Sequence, residues 1–174
     1  MQFPNAFRSW RARLRLHHSH FKTAKLFEAA GQLGAIIANA SDEVEAGLAN
    51  YGRHLGTAFQ IIDDVLDYSG HEGEIGKHLG DDLAEGKTTL PLIHVMQSGN
   101  SACVDVVRHA IEEGSREDFP AVLAAVQTCD ALVKSRVQGE AEASAAKHAL
   151  TPLADSTFKK TLLEFADFAV LRNF

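Results

Sequence analysis

Residues 56–68, GTAFQIIDDVLDY, decide how the rest of the chain is read. Placed on a helix, Gln60, Asp63, Asp64 and Asp67 fall at i, i+3, i+4 and i+7 and share one face. Ala58, Phe59, Ile61, Ile62, Val65 and Leu66 fill the other directions. The helix is therefore expected to be wrapped in packing partners except along one acidic stripe. Gly52 and Gly56 extend that stripe upstream as bare backbone, leaving room for something to approach. Like-charged i,i+4 pairs repel by about 0.2–0.5 kcal/mol on an exposed helix and by more when partly buried. A hard divalent cation such as Mg2+ would offset this, since it takes oxygen ligands and is held by one or two carboxylates plus substrate phosphates. The plain alternative is a solvated acidic patch, which so apolar a helix argues against.

Downstream, residues 69–88 hold five glycines, at 70, 73, 76, 80 and 86. They predict a loop, or a short helix between loops. Lys77 and Lys87 are placed in it to meet an anion. A surface connection is the ordinary reading; directly after a carboxylate stripe, a phosphate-binding lid is the better one. Upstream, Ala24, Phe27, Ala30, Leu33, Gly34 and Ile37 predict an amphipathic helix from Lys22 to about residue 39. Ser41 is a good N-cap for a long helix over 42–69, with Asp42 and Glu43 in its first turn. Further helices are predicted from Thr88 or Thr89 to about 98, over 101–113, from a capping box at Ser115 and Asp118 to about 128, from an Asp130 cap to about 149, and from Ser156 onward. No strand-type alternation and no internal repeat is visible. The expected class is all-α, an antiparallel helix bundle.

At 174 residues the chain suits one domain with a real core. Its net charge is −6, yet six positive residues (Arg8, Arg11, Arg13, Arg15, Lys22 and Lys25) precede the first acid, Glu28, which leaves −12 for the remainder. So acidic a body argues against nucleic acid as partner. Cys103 and Cys129 form no CxxC pair and suit a reducing, cytoplasmic setting. No apolar run reaches transmembrane length. Residues 1–21 are basic, lack acids and show no helical periodicity. They are expected to be a poorly structured leader, in preference to an organellar targeting segment or a metal site at His17, His18 and His20.

FQIIDDVLDY followed by GKHLGDDLAEGKTTLPLI resembles the second aspartate-rich motif and following loop of trans-isoprenyl (polyprenyl) diphosphate synthases, and KTAKLFEAA resembles the helix before them. The loop wording looks most like bacterial enzymes of the octaprenyl type, which make quinone side chains. The likeness covers residues 22–174, the C-terminal part of the isoprenoid synthase fold. It implies antiparallel helices around a central cavity. There, Mg2+ holds an allylic diphosphate, diphosphate leaves, isopentenyl diphosphate attacks the allylic cation, and a proton is lost. Carried over, Asp63 and Asp67 would ligate Mg2+ with Asp64 in support. Lys22, Lys77 and Lys87 would contact the diphosphate, and Thr23 and Gln60 would line the cavity near the reacting carbons. The family's first aspartate-rich motif and its grip on isopentenyl diphosphate lie upstream of the Lys-Thr helix, where residues 1–21 contain no aspartate. The expectation is therefore either a prenyltransferase part, as a homodimer or in a heteromer with a synthase, or a non-catalytic partner subunit of such an enzyme. A ferritin-like metal protein would require Glu-x-x-His pairs, which the sequence lacks.

Overall fold

The computed structural model describes residues 23–69, 79–113 and 116–172. Every regular element among them is helical. Helix α1 covers 23–37. It is followed by α2 (Asp42–Ser69), α3 (Asp81–Ala84), α4 (Leu90–Gln97), α5 (Ser101–Glu113), a 3-10 turn (Arg116–Asp118), α6 (Phe119–Thr128), α7 (Ala131–Ala149) and α8 (Thr157–Leu171). The leader expected over 1–21 lies outside the described residues.

The described residues form two compact units, divided between Ile62 and Asp63 on α2 and between Ser135 and Arg136 on α7. The first contains α1, α2 up to Ile62, α7 from Arg136, and α8. Ser41 caps α2 as the sequence predicts, its Oγ accepting from Val44 N at 3.4 Å. Tyr51, Leu55, Ala146, Leu150, Ala166 and Ala169 form the core. The Tyr51 hydroxyl donates to the Leu162 carbonyl at 2.8 Å, and burial pushes its phenol up to about 12. His54 Nδ1 meets Glu142 Oε2 at 2.7 Å, tying α2 to α7. Ser156 caps α8 through Lys159 N at 3.1 Å, again as predicted.

The bare backbone at Gly52 and Gly56 is filled from inside the fold. A Cβ on Gly56 would stand 2.8 Å from Ala24 Cα. One on Gly52 would collide with the Phe27 carbonyl, and one on Gly31 with the Leu48 carbonyl. What approaches these glycines is α1, running antiparallel to α2 at backbone contact distance. This contact also corrects the expected apolar stripe of α1. Ala24 is buried and Phe27 partly so, but Ala30, Leu33, Gly34 and Ile37 are exposed. The contact uses the face that carries Ala24, Phe27 and Gly31, where the missing side chains of Gly31, Gly52 and Gly56 let the two backbones approach.

The second unit holds the end of α2 from Asp63, helices α3 to α6, and α7 up to Ser135. Tyr68, Leu83, Leu92, Val95, Val107, Val122 and Val126 lie in its core. The predicted cap residue Ser115 lies outside the described residues; α6 begins at Phe119, after the 3-10 turn, with Pro120 in its first turn and no side-chain cap from Asp118. Proline fits there because the first N–H groups of a helix lack partners in any case. Asp130 adopts a left-handed φ of 51° and joins α6 to α7 as a turn residue, whereas an N-cap needs extended backbone.

Candidate functional site

The three aspartates predicted as a set are divided by the fold. Asp64 is buried, 4% exposed, and its Oδ2 accepts from Leu90 N at 3.1 Å. It thereby caps α4 from 26 residues away. The local cap position, Thr89, makes no side-chain cap bond; its hydroxyl donates instead to the Tyr68 hydroxyl at 3.3 Å. Leu90 is followed by Pro91, which has no N–H, so Asp64 serves the foremost orphan donor of the helix. Placing a carboxylate at a helix N-terminus is also favourable to the dipole. Asp63 and Asp67 are half-buried, one helical turn apart.

Where the described chain resumes, it lies against the end of α2. Gly80 N donates to the Asp67 carbonyl at 3.2 Å, with Gly80 at a φ of 79° and the Phe119 ring closing over it. The short helix α3 then places Asp81 and Asp82 in its first turn. Lys87 Nζ bridges Asp82 Oδ1 at 2.7 Å and Glu85 Oε2 at 2.8 Å. Those hydrogen bonds, Asp82 first, raise the Lys87 ammonium above the usual lysine range. Tyr68 lies beneath this acidic surface. Burial chiefly raises its phenol above the usual tyrosine range, the Thr89 hydrogen bond opposes this, and the charges of Asp67, Asp82 and Asp64 add to it.

Of the other predicted residues, Thr23 and Gln60 belong to the first unit. Thr23 opens α1, and the antiparallel register sets its neighbour Ala24 against Gly56, one turn before Gln60 on α2. Both are half-buried. Lys22 and Lys77 lie outside the described residues. One contact had no sequence signal. The Arg172 guanidinium lies 3.8 Å from the centre of the Phe59 ring and donates to the Phe59 carbonyl at 3.0 Å, across 113 residues.

Carboxylate oxygens are hard donors and suit Mg2+ or Ca2+. Among the described residues no group of three or more His, Cys, Asp or Glu side chains converges on one point. Asp63 and Asp67, one turn apart on α2, could hold such an ion together with oxygens from substrate and water. Also among the described residues, no helix is long and apolar enough to cross a membrane.

Comparison with known proteins matches residues 9–127 to the polyprenyl synthetase family. The chain is 46% identical over 154 residues to the octaprenyl diphosphate synthase of Haemophilus influenzae, covering 88% of this chain and 47% of that protein. It is 30% identical to heptaprenyl diphosphate synthase component 2 of Bacillus subtilis, covering 88% of this chain and 43% of that one. Among solved structures it is similar to the Caulobacter crescentus polyprenyl synthase complexed with calcium and isoprenyl diphosphate. That likeness has a TM-score of 0.80 at 36% identity and covers 89% of this chain and 48% of that one. The chain thus spans about half the length of the curated relatives it matches.

Proposed function

The chain belongs to the polyprenyl synthetase family, and from that premise we propose that its acidic face forms one wall of a prenyltransferase site. That site would hold an allylic diphosphate for condensation with isopentenyl diphosphate, giving a long-chain polyprenyl diphosphate for quinone side chains. The observation that supports this most is the division of labour on α2. Asp64 is committed to Leu90 N, while Asp63 and Asp67 stay half-buried one turn apart. Two hard carboxylates at that spacing fit Mg2+, which prefers one or two protein carboxylates with phosphate oxygens and water. When bound, Mg2+ supplies positive charge that stabilises the departing diphosphate. Asp63 and Asp67 would hold the ion, and Asp64 would fix the helix end that carries them. Lys22, Lys77 and Lys87 would bind the diphosphate, Lys87 by exchanging its Asp82 and Glu85 partners for phosphate oxygens. Thr23 and Gln60 would stand near the reacting carbons.

A second reading is a non-catalytic subunit that completes another synthase as a heteromer, in place of a homodimer. It is favoured by the Bacillus relative, whose name is that of one component. In either case the protein is read as cytoplasmic. Incorporation of labelled isopentenyl diphosphate into extractable prenyl product tests both, using farnesyl diphosphate as co-substrate with and without a full-length synthase. One acidic wall alone should give no measurable condensation, since removing even one donor from a preorganised site can cost about 10²–10³ in rate. Turnover on mixing, above that of the synthase itself, supports the subunit reading. Robust turnover by the purified chain alone contradicts the one-wall account.

A further inference from the structure

Cys103 and Cys129 share no sequence motif, yet the fold brings their thiols into contact. Cys103 stands in the first turn of α5, where its backbone N donates to Asn100 Oδ1 at 3.3 Å. Cys129 ends α6, and its Sγ donates to Ser98 Oγ at 3.4 Å. The short turn between α4 and α5 therefore holds both residues. The two thiols are also hydrogen-bonded to each other; burial first, and then this contact, raises the Cys103 thiol above its ordinary value. Both belong to the core of the second unit but lie at its edge. They are 9 and 7% exposed, whereas Val107, Val122 and Val126 in the same core are sealed at 0%. Neither is in a disulfide, and the chain has no third cysteine to compete. A single buried cysteine mostly serves as a small apolar residue. Two whose sulfurs touch, on different helices, are also placed for a covalent bond, which needs close side chains and a suitable torsion.

We propose that Cys103 and Cys129 form a reversible dithiol–disulfide site that reacts with oxidants of the low-molecular-weight disulfide class. The reaction is two successive exchanges. One cysteine loses its proton and attacks a sulfur of the oxidant, which gives a mixed disulfide and releases one small thiol. The other loses its proton and attacks the protein sulfur of that mixed disulfide. The Cys103–Cys129 bond forms and the second small thiol leaves. The protein pair gives up two electrons and two protons, and the oxidant is reduced to two thiols. The product staples the start of α5 to the end of α6 across a loop of about 25 residues. A reducing compartment keeps the pair open and an oxidising shift closes it. No residue of the acidic face takes part, so the site exists whether or not α2 holds a diphosphate.

The test equilibrates the full chain with mixtures of reduced and oxidised glutathione, folded and in urea, approached from both directions. Samples are quenched with acid and read by intact mass and peptide mapping. The folded chain should lose two hydrogens and join the Cys103 and Cys129 peptides. Whatever the bond adds to folding, folding adds to the bond. For a loop of this length, the equilibrium constant should be about a hundredfold larger folded than unfolded. Oxidation should raise the melting midpoint by about 5 °C or more, and reduction should restore it. Cys103→Ser and Cys129→Ser should each gain at most one glutathione and show no such rise. The proposal is overturned if the folded chain stays reduced where the unfolded chain oxidises, or if it carries two glutathiones or links to a second copy instead. An oxidised form that melts at or below the reduced one also overturns it. The comparison of folded with unfolded parent needs no variant, so it decides the matter even where a serine substitution unfolds the chain.

Discussion

Asp64 is the residue on which sequence pattern and structure differ most, and replacing it separates a structural aspartate from a ligand. Its buried carboxylate accepts the Leu90 backbone N–H at 3.1 Å, at the start of α4. Asp64→Ala removes the acceptor and leaves the Leu90 N–H buried. A charge-assisted bond is worth about 1.5–3 kcal/mol, and a lost N-cap typically costs about 1 kcal/mol. These overlap, because the bond is the cap, so the expected loss is about 2–3 kcal/mol. For a chain of this size that is a fall of roughly 5–10 °C in the melting midpoint. Asp64→Asn keeps an acceptor oxygen and sheds the desolvation cost of a buried charge, so it should lose only about 1 kcal/mol. The assay is thermal unfolding by circular dichroism at 222 nm, repeated with Mg2+ and diphosphate. An alanine variant melting within about 1 °C of the parent, or an asparagine variant as damaged as the alanine one, would refute the capping role.

The α1–α2 contact gives a paired prediction. Gly56→Ala drives a Cβ to 2.8 Å from Ala24 Cα, whereas Gly34→Ala meets nothing within 4 Å. In thermal melts the first should lower stability by about 1–2 kcal/mol, overpacking exceeding the gain in helix propensity, and the second should raise it by about 0.5–1 kcal/mol. Lys87→Ala breaks only exposed ion pairs, so stability should change by less than about 1 kcal/mol. Calorimetry should find its diphosphate affinity down about ten- to a hundred-fold, the worth of one charge-assisted bond. Burial first, then the Lys134 charge, holds His94 below its usual value of 6.5. A depressed folded value means that the unfolded chain takes up the proton first, so stability is lost as pH falls below about 6.5. Urea titrations across pH 5–8 should show the His94→Leu variant with a shallower acid-side loss than the parent.

Most of the helical frame can be read from the chain because its signals are local. Ser41 and Ser156 cap where they stand, Pro91 lies in the first turn of α4, and the 3.6-residue pattern of α2 holds over its full length. What the chain conceals is tertiary. An aspartate in an i, i+3, i+4, i+7 pattern looks the same whether it faces a ligand or caps a helix 26 residues on. Large apolar residues on α1 signal a buried face, yet the glycines of α2 draw in the opposite one, because backbone proximity depends on both partners. Asp130 reads as a cap by type, but its left-handed backbone makes it a turn. The Arg172–Phe59 contact joins residues with no shared pattern.

The central claim is that Asp63 and Asp67 hold a Mg2+-bound diphosphate. Isothermal titration of the full chain with inorganic diphosphate, with and without Mg2+, tests it most directly when set beside Asp67→Asn. The parent should bind saturably only with Mg2+ present. Asp67→Asn should bind no diphosphate, while melting at the parent temperature or slightly above, since it relieves a like-charge repulsion worth up to about 0.5 kcal/mol. Equal binding by parent and variant, or no Mg2+-dependent binding by the parent, would contradict the account and reduce the stripe to surface charge.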